Sequence, residues 1–268
     1  MKFKCTFEQR VFMRQFFTLA LLTIVLSGCG PFIRTTKGGS EIVFDGAITK
    51  ESVAKFKEEL AASPKAKKLM IRSRGGDAEA GIDIGDLVFQ RHLDVEVKDH
   101  CMSACANYIF PAGRAKVIPK DALVAWHGRG FAHAVHVIQT REVPAPVDKP
   151  LEHFEIPDAE KKAFVDKIIN AMIDQRSKEE DFYKKIGVNS FIAWIGRIPP
   201  YQAEDFYTMS PADMAKFGVS RVQADAGYEN SDFSQRTSSK LVVIKVGDEV
   251  SPPVIANPKR PEEWFTWK

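Results

Sequence analysis

The 268-residue chain is short of several things at once: four cysteines, six histidines, no internal repeat and no long apolar run. Each shortage excludes a class. Without apolar stretches of bilayer length the chain is not a polytopic membrane protein. At 44% hydrophobic and 27% charged residues it is neither a disordered tail nor, with 17 Gly, a collagen-like repeat. Excess charge is missing too. The formal +3 sits in residues 1–28, where Lys2, Lys4, Arg10 and Arg14 face only Glu8, and the remaining charges cancel. No basic surface for nucleic acid follows from that balance. The histidines show no spacing that would complete a zinc site with Cys101 and Cys105, and no Lys-Ser/Thr pair follows the glycines to make a phosphate-binding loop. No metal and no cofactor is expected.

What is present begins with an address. The basic residues precede the mostly apolar run Phe16–Leu26, too short to span ~30 Å of hydrocarbon as a helix, which reads as a secretory signal. Leu26-Ser27-Gly28-Cys29 then resembles the bacterial lipobox. That resemblance implies that Cys29 is acylated and becomes the first residue of a periplasm-facing envelope lipoprotein, its membrane partner held through a lipid anchor. Residues 1–28 are then the signal peptide and 29–40 a flexible tether. An oxidising compartment permits a Cys101–Cys105 disulfide, although two buried small residues are the commoner explanation of such a pair.

Domain 41–222 follows, with strand and helix in alternation: strands at Glu41–Phe44, Lys68–Arg72, Leu93–Val97 and Ala122–Trp126, and helices capped by Thr49, over Glu79–Gln90 and over Ser103–Phe110. This predicts an α/β domain with mostly parallel pairing. Residues 129–157, with four prolines and three scattered histidines, read as an inserted loop. Asp158–Ile186 reads as one long helix whose Lys178-Glu179-Glu180-Asp181 cluster is a solvated face. Ser210 caps a short helix through Phe217, and 223–268 form an irregular C-terminal extension with a strand at Leu241–Val246.

Three features sit at strand ends. Ser73-Arg74-Gly75-Gly76-Asp77 lies between strand and helix, where consecutive glycines turn backbone N–H groups outward. Ser103, at the next such junction, is either an N-cap or a nucleophile aided by the helix dipole. His127 ends an apolar strand, beside Gly128. The order Gly-Gly, Ser, His across one α/β unit resembles the ClpP-like serine peptidase group of the ClpP/crotonase superfamily. IRSRGGDAEAG, CMSACANYIFPAG and LVAWHG carry the likeness, with a weaker echo at MSPADMAKFGV.

The resemblance implies a spiral of ββα units and a peptidase site. Ser103 would be the nucleophile, His127 the general base and Asp205, preferred over Glu204, the residue orienting it. The N–H groups of Gly76 and Ala104 would form the oxyanion hole. It also implies a peptide or protein substrate and allows a homo-oligomer. Arg74 stands where the group usually has proline. Counting back from Ala112-Gly113 places the group's nucleophile at Ala104, so Ser103 fills that place only if one extra residue is accommodated. Two other readings stay open on the same residues: an inactive binding or scaffold lipoprotein, and a cysteine hydrolase using Cys101 or Cys105. A crotonase-type acyl-CoA enzyme fits a secreted lipoprotein poorly.

Overall fold

The computed structural model describes residues 31–141, 158–233, 237–248, 255, 257–261 and 264. The expected signal peptide, the acylated Cys29 and the proline-bearing part of the 129–157 segment lie outside them. Among the described residues no helix is long and apolar enough to cross a membrane.

The fold is the mixed α/β arrangement that the alternation predicts. Strand β1 (Phe32–Thr35) leads to β2 (Glu41–Asp45), α1 (Lys50–Ala62), β3 (Lys68–Ser73), α2 (Ala78–Gln90) and β4 (Asp94–Met102). A π-helical turn, Cys105–Ile109, continues into α3 (Phe110–Ala112). Then come β5 (Lys116–Ile118), β6 (Leu123–Ala125), α4 (Arg129–Thr140), α5 (Asp158–Ile186), β7 (Phe206–Thr208), α6 (Pro211–Lys216), β8 (Val222–Ala224) and β9 (Leu241–Val243). The main sheet runs β1-β2-β3-β4-β5-β8, with β6 also on β4; every pairing is parallel except β1 with β2. Strand β7 pairs with β9 and touches the main sheet through an antiparallel bridge between Trp126 and Tyr207.

Local chemistry explains the elements. Thr49 and Ser52 exchange side-chain and backbone hydrogen bonds in a capping box that starts α1. Along β2 and β3, Ile42, Phe44, Leu69 and Ile71 alternate into the core and are fully buried, the period-two pattern of a strand. Gly81 and Gly85 let α2 lie against the π-helical turn: a Cβ on Gly81 would come within 2.7 Å of the Tyr108 ring, and one on Gly85 within 2.6 Å of the Tyr108 carbonyl oxygen.

One topological detail builds the site. Strand β4 has two successive neighbours along one edge. Val95 and Glu96 pair with β5, whereas His100, Cys101 and Met102 pair with β6. Changing partner part-way splays the sheet and sets the end of β4 beside the end of β6. Ser103 follows the first and His127 the second.

The structure corrects the sequence reading in several places. Part of the expected tether is β1, fixed by pairing to β2 and by Thr35, whose N–H and hydroxyl both donate to Glu59 Oε2 at 2.8 and 2.7 Å. Residues 129–140 of the expected loop form α4, because the prolines begin only at Pro144 and Ala134 and Val137 share a buried face. The 178–181 cluster is not simply solvated, since Glu179 and Glu180 pair with the buried Arg176. The extension after residue 222 packs as well: Ile244, Val246 and Trp264 are buried. Cys101 and Cys105 are joined in a disulfide rather than being two small buried thiols.

Candidate active site

The glycine loop and the serine turn are locked into each other. Gly75 and Gly76 adopt φ of +96° and +148°, conformations that side-chain-bearing residues rarely take. A Cβ on Gly75 would lie 2.7 Å from both Ser103 Cβ and the Met102 carbonyl oxygen, so only a bare backbone fits there. Ile48 anchors the loop from outside, donating to the Gly75 carbonyl at 3.0 Å and accepting from the Asp77 N–H at 2.9 Å. Asp77 caps α2 by accepting from the Ala80 N–H.

Ser103 is itself left-handed, at φ +54°, and is held there from three sides. Its N–H donates to the Ala125 carbonyl at 3.0 Å, and its carbonyl accepts from the Asn107 N–H at 2.8 Å. The Cys101–Cys105 disulfide closes the turn around it, with both cysteines fully buried. The π-helical turn that follows contains one more residue per turn than an α-helix.

Ser103 Oγ stands 2.6 Å from His127 Nε2. The other ring nitrogen is also engaged, since the Arg129 backbone N–H donates to Nδ1 at 2.9 Å. An imidazole nitrogen that accepts an N–H bond carries no proton, so in the neutral ring the proton is on Nε2 and Ser103 Oγ is its acceptor. Burial, then the Arg129 and Arg197 guanidiniums nearby, push the His127 pKa down to about 4. The ring is therefore neutral near pH 7.

Asp205 comes close but is not on the ring. Its carboxylate accepts from Arg129 Nη2 at 2.6 Å and from the Lys240 N–H at 3.1 Å. Those two contacts, the Lys240 N–H foremost, hold it below the usual carboxylate range. The next residue, Phe206, lies edge-on to the His127 ring with centroids 5.5 Å apart. Glu204 pairs instead with Lys240 Nζ at 2.5 Å. The structure thus brings Ser103 and His127 together and leaves both carboxylates off the ring.

Gly76, Ser103, Ala104 and His127 share the wall of one cavity of about 600 Å³. Neither the Gly76 nor the Ala104 N–H donates to a protein acceptor among the described residues, so both are available to a bound oxyanion. The far walls are Phe131 of α4, Ile168 and Met172 of α5, and Trp194. Among the described residues no cluster of His, Cys, Asp and Glu could hold a metal ion.

Sequence reasoning missed Arg129 and Arg197. Arg197 donates through Nε to the His127 carbonyl and through Nη1 to the Ala203 and Glu204 carbonyls at 2.7 and 2.8 Å. It ties three segments together from 70 residues beyond the histidine, and nothing in the sequence reveals that. Arg129 could have been suspected from its place two residues after His127.

No protein-family model and no curated protein matches the chain. Among solved structures the chain is similar to a mutant of ClpP1 from Listeria monocytogenes, with 17% identity and TM-score 0.30 over 55% of this chain and 78% of that one. It is also similar to a mutant of 1510-N, a membrane-bound stomatin-specific protease, with 15% identity and TM-score 0.39 over 76% of this chain and 96% of that one.

Proposed function

We propose that this protein is an envelope-anchored serine hydrolase acting on peptide or protein substrates, with Ser103 as nucleophile and His127 as its base. The observation that carries the reading is the 2.6 Å contact between Ser103 Oγ and His127 Nε2 on the wall of a cavity that Gly76 and Ala104 also line, their N–H groups without a protein acceptor among the described residues. In the reaction the ring proton must first sit on Nδ1; Oγ then attacks the substrate carbonyl carbon while the freed Nε2 lone pair takes the Ser103 proton. The Gly76 and Ala104 N–H groups receive the oxyanion, and Nε2 passes the proton to the leaving amine as the scissile C–N bond breaks. Water, giving its proton to His127, later hydrolyses the Ser103 ester. A positioned base contributes ~10²–10⁴ in rate and each oxyanion donor ~10²–10³. The cavity's largely apolar far wall supports an apolar group beside the scissile bond.

The test is labelling of the full chain by a fluorophosphonate. Wild type is expected to label, and Ser103→Ala and His127→Ala to lose labelling while staying folded. Labelling that persists in Ser103→Ala assigns the reactivity elsewhere and overturns the reading. Anchoring is tested separately: Cys29→Ala is expected to move the protein from the membrane fraction to the soluble periplasmic one.

A second reading, a binding or scaffold protein that has lost its chemistry, is favoured by one specific observation. A base must present a lone pair at Nε2, yet the Arg129 N–H occupies Nδ1 and no carboxylate touches the ring. A folded wild-type protein that never labels supports it.

A further inference from the structure

We propose that Arg129 is a positioning residue that keeps His127 in its resting tautomer, and that its withdrawal hands the ring to Asp205. The inference rests on the serine-hydrolase reading and names how that site is regulated.

One residue makes both relevant contacts. The Arg129 backbone N–H fills the acceptor position at Nδ1, at 2.9 Å, while its guanidinium holds the Asp205 carboxylate at 2.6 Å. The first contact puts the ring proton on the wrong nitrogen for general-base work. The second sequesters the carboxylate that could correct it. Either alone is unremarkable; the backbone N–H and the side chain of one residue, at the first position of α4, together make a latch.

The geometry leaves Asp205 a short way from its alternative partner. Trp126 and Tyr207 are bridged antiparallel, exchanging hydrogen bonds of 2.9 and 2.8 Å, so the residues after Trp126 run beside those before Tyr207. Arg197 fastens the same two segments, donating to the His127 carbonyl and to the Asp205 carbonyl. The backbone of the pair is therefore fixed. What can change is the rotamer of Asp205, held by Arg129 and by the Lys240 N–H, and the exposed N-terminus of α4.

The latch is also on the accessible side. Arg129 is 62% exposed and Asp205 30%, whereas the nucleophile turn is buried. A ligand entering the cavity meets Arg129 and Gly130 on its wall. Substrate seated there can displace the α4 N-terminus before it reaches Ser103. After release, Nδ1 takes a proton from solvent and donates it to Asp205, while Nε2 gives its own proton back to solvent. The ring keeps its charge and gains the lone pair that accepts the Ser103 proton. The charged groups facing the ring in both states are Arg129, Arg197 and Asp205.

The experiment combines ¹⁵N NMR of the His127 ring, which distinguishes Nδ1–H from Nε2–H, with the fluorophosphonate labelling rate. The full chain is compared with Arg129→Ala, Arg129→Lys and Arg129→Ala/Asp205→Asn. Wild type is expected to show Nε2–H. Arg129→Ala keeps the backbone N–H but frees the Asp205 carboxylate to compete with it for Nδ1; it is expected to shift the ring toward Nδ1–H and to label at least about tenfold faster. Arg129→Lys, which restores a cation to Asp205, should return both readouts toward wild type, and the double variant should lose the gain. An Arg129→Ala protein with unchanged tautomer and rate overturns the inference and leaves the hydrolase reading standing. A tautomer shift that depends on Asp205, with no labelling in any variant, keeps the inference and overturns the hydrolase reading.

Discussion

The two halves of the candidate site are built in opposite ways. The half that carries Ser103 is buried and over-determined: glycines with no room for a Cβ, a disulfide, and backbone bonds on both sides of the serine. The half that carries His127 is half open and held largely by charge, with Arg129, Arg197, Asp205 and Lys240 in one network. A left-handed serine costs of order 1–3 kcal/mol and persists only when its surroundings fix it. The contrast makes the Ser103 turn the rigid half and the His127 side the adjustable one.

The same substitution on each side should break this comparison most sharply. Gly75→Ala would drive a Cβ to 2.7 Å from Ser103 Cβ at φ +96°. It is expected to destabilise by at least about 3 kcal/mol and to abolish labelling. Gly130→Ala sits in the first turn of α4 with nothing within 4 Å of the new carbon. It is expected to stabilise by up to about 1 kcal/mol, as glycine-to-alanine changes in helices do. Denaturant melts of the two variants measure both. Equal destabilisation would remove the distinction between a rigid and an adjustable half.

Those halves also differed in how much the sequence revealed. The rigid half is local. Gly75-Gly76 follows β3, Ser103 follows β4, and a π-helical turn runs over Cys105–Ile109. Each is a feature of a few adjacent residues, which is the range over which pattern reading works. The adjustable half is assembled from Arg129, Arg197, Asp205 and Lys240, which are far apart in the chain. Their meeting depends on β4 changing partner from β5 to β6 and on β7 bridging to Trp126, neither of which periodicity encodes. The preference for Asp205 found the right neighbourhood but not the partner, because Arg129 lies between it and the ring. The disulfide was legible as a permitted pair, but its place around Ser103 emerged only with the turn itself.

The disulfide allows the rigid half to be loosened by degrees. Converting Cys101 and Cys105 to alanine opens a five-residue loop centred on Ser103. Chain entropy for so short a loop is worth about 2 kcal/mol. Labelling is expected to fall more than that loss of stability explains, because the turn is no longer closed around the nucleophile. The informative readout is the maximal labelling rate at saturating reagent, compared with reagent affinity. A fall in rate with unchanged affinity means misplacement of Ser103. If both are unchanged in the folded double variant, the disulfide is structural ballast and the Gly75 contact alone fixes the turn.

The remaining effect belongs to the adjustable half and is read by titration. His127 has its pKa pushed down to about 4 from the ordinary 6.5, first by burial and then by Arg129 and Arg197. Between those values the unfolded chain binds a proton at this residue that the folded chain does not. The contribution to stability is therefore complete above about pH 6.5, declines as pH falls, and is gone below about pH 4. His127→Gln should flatten stability against pH across that window, leaving the parallel contribution of His100, which burial also lowers. Arg129→Ala should narrow the window from its acid end, because the ring loses a neighbouring cation and gains Asp205. A His127 midpoint near 6.5 in wild type would mean that the ring is already open to solvent or already paired with a carboxylate. Either case dissolves the adjustable half as described. A midpoint near 4 that rises only when Arg129 is removed ties the ring's proton to the same residue that holds Asp205.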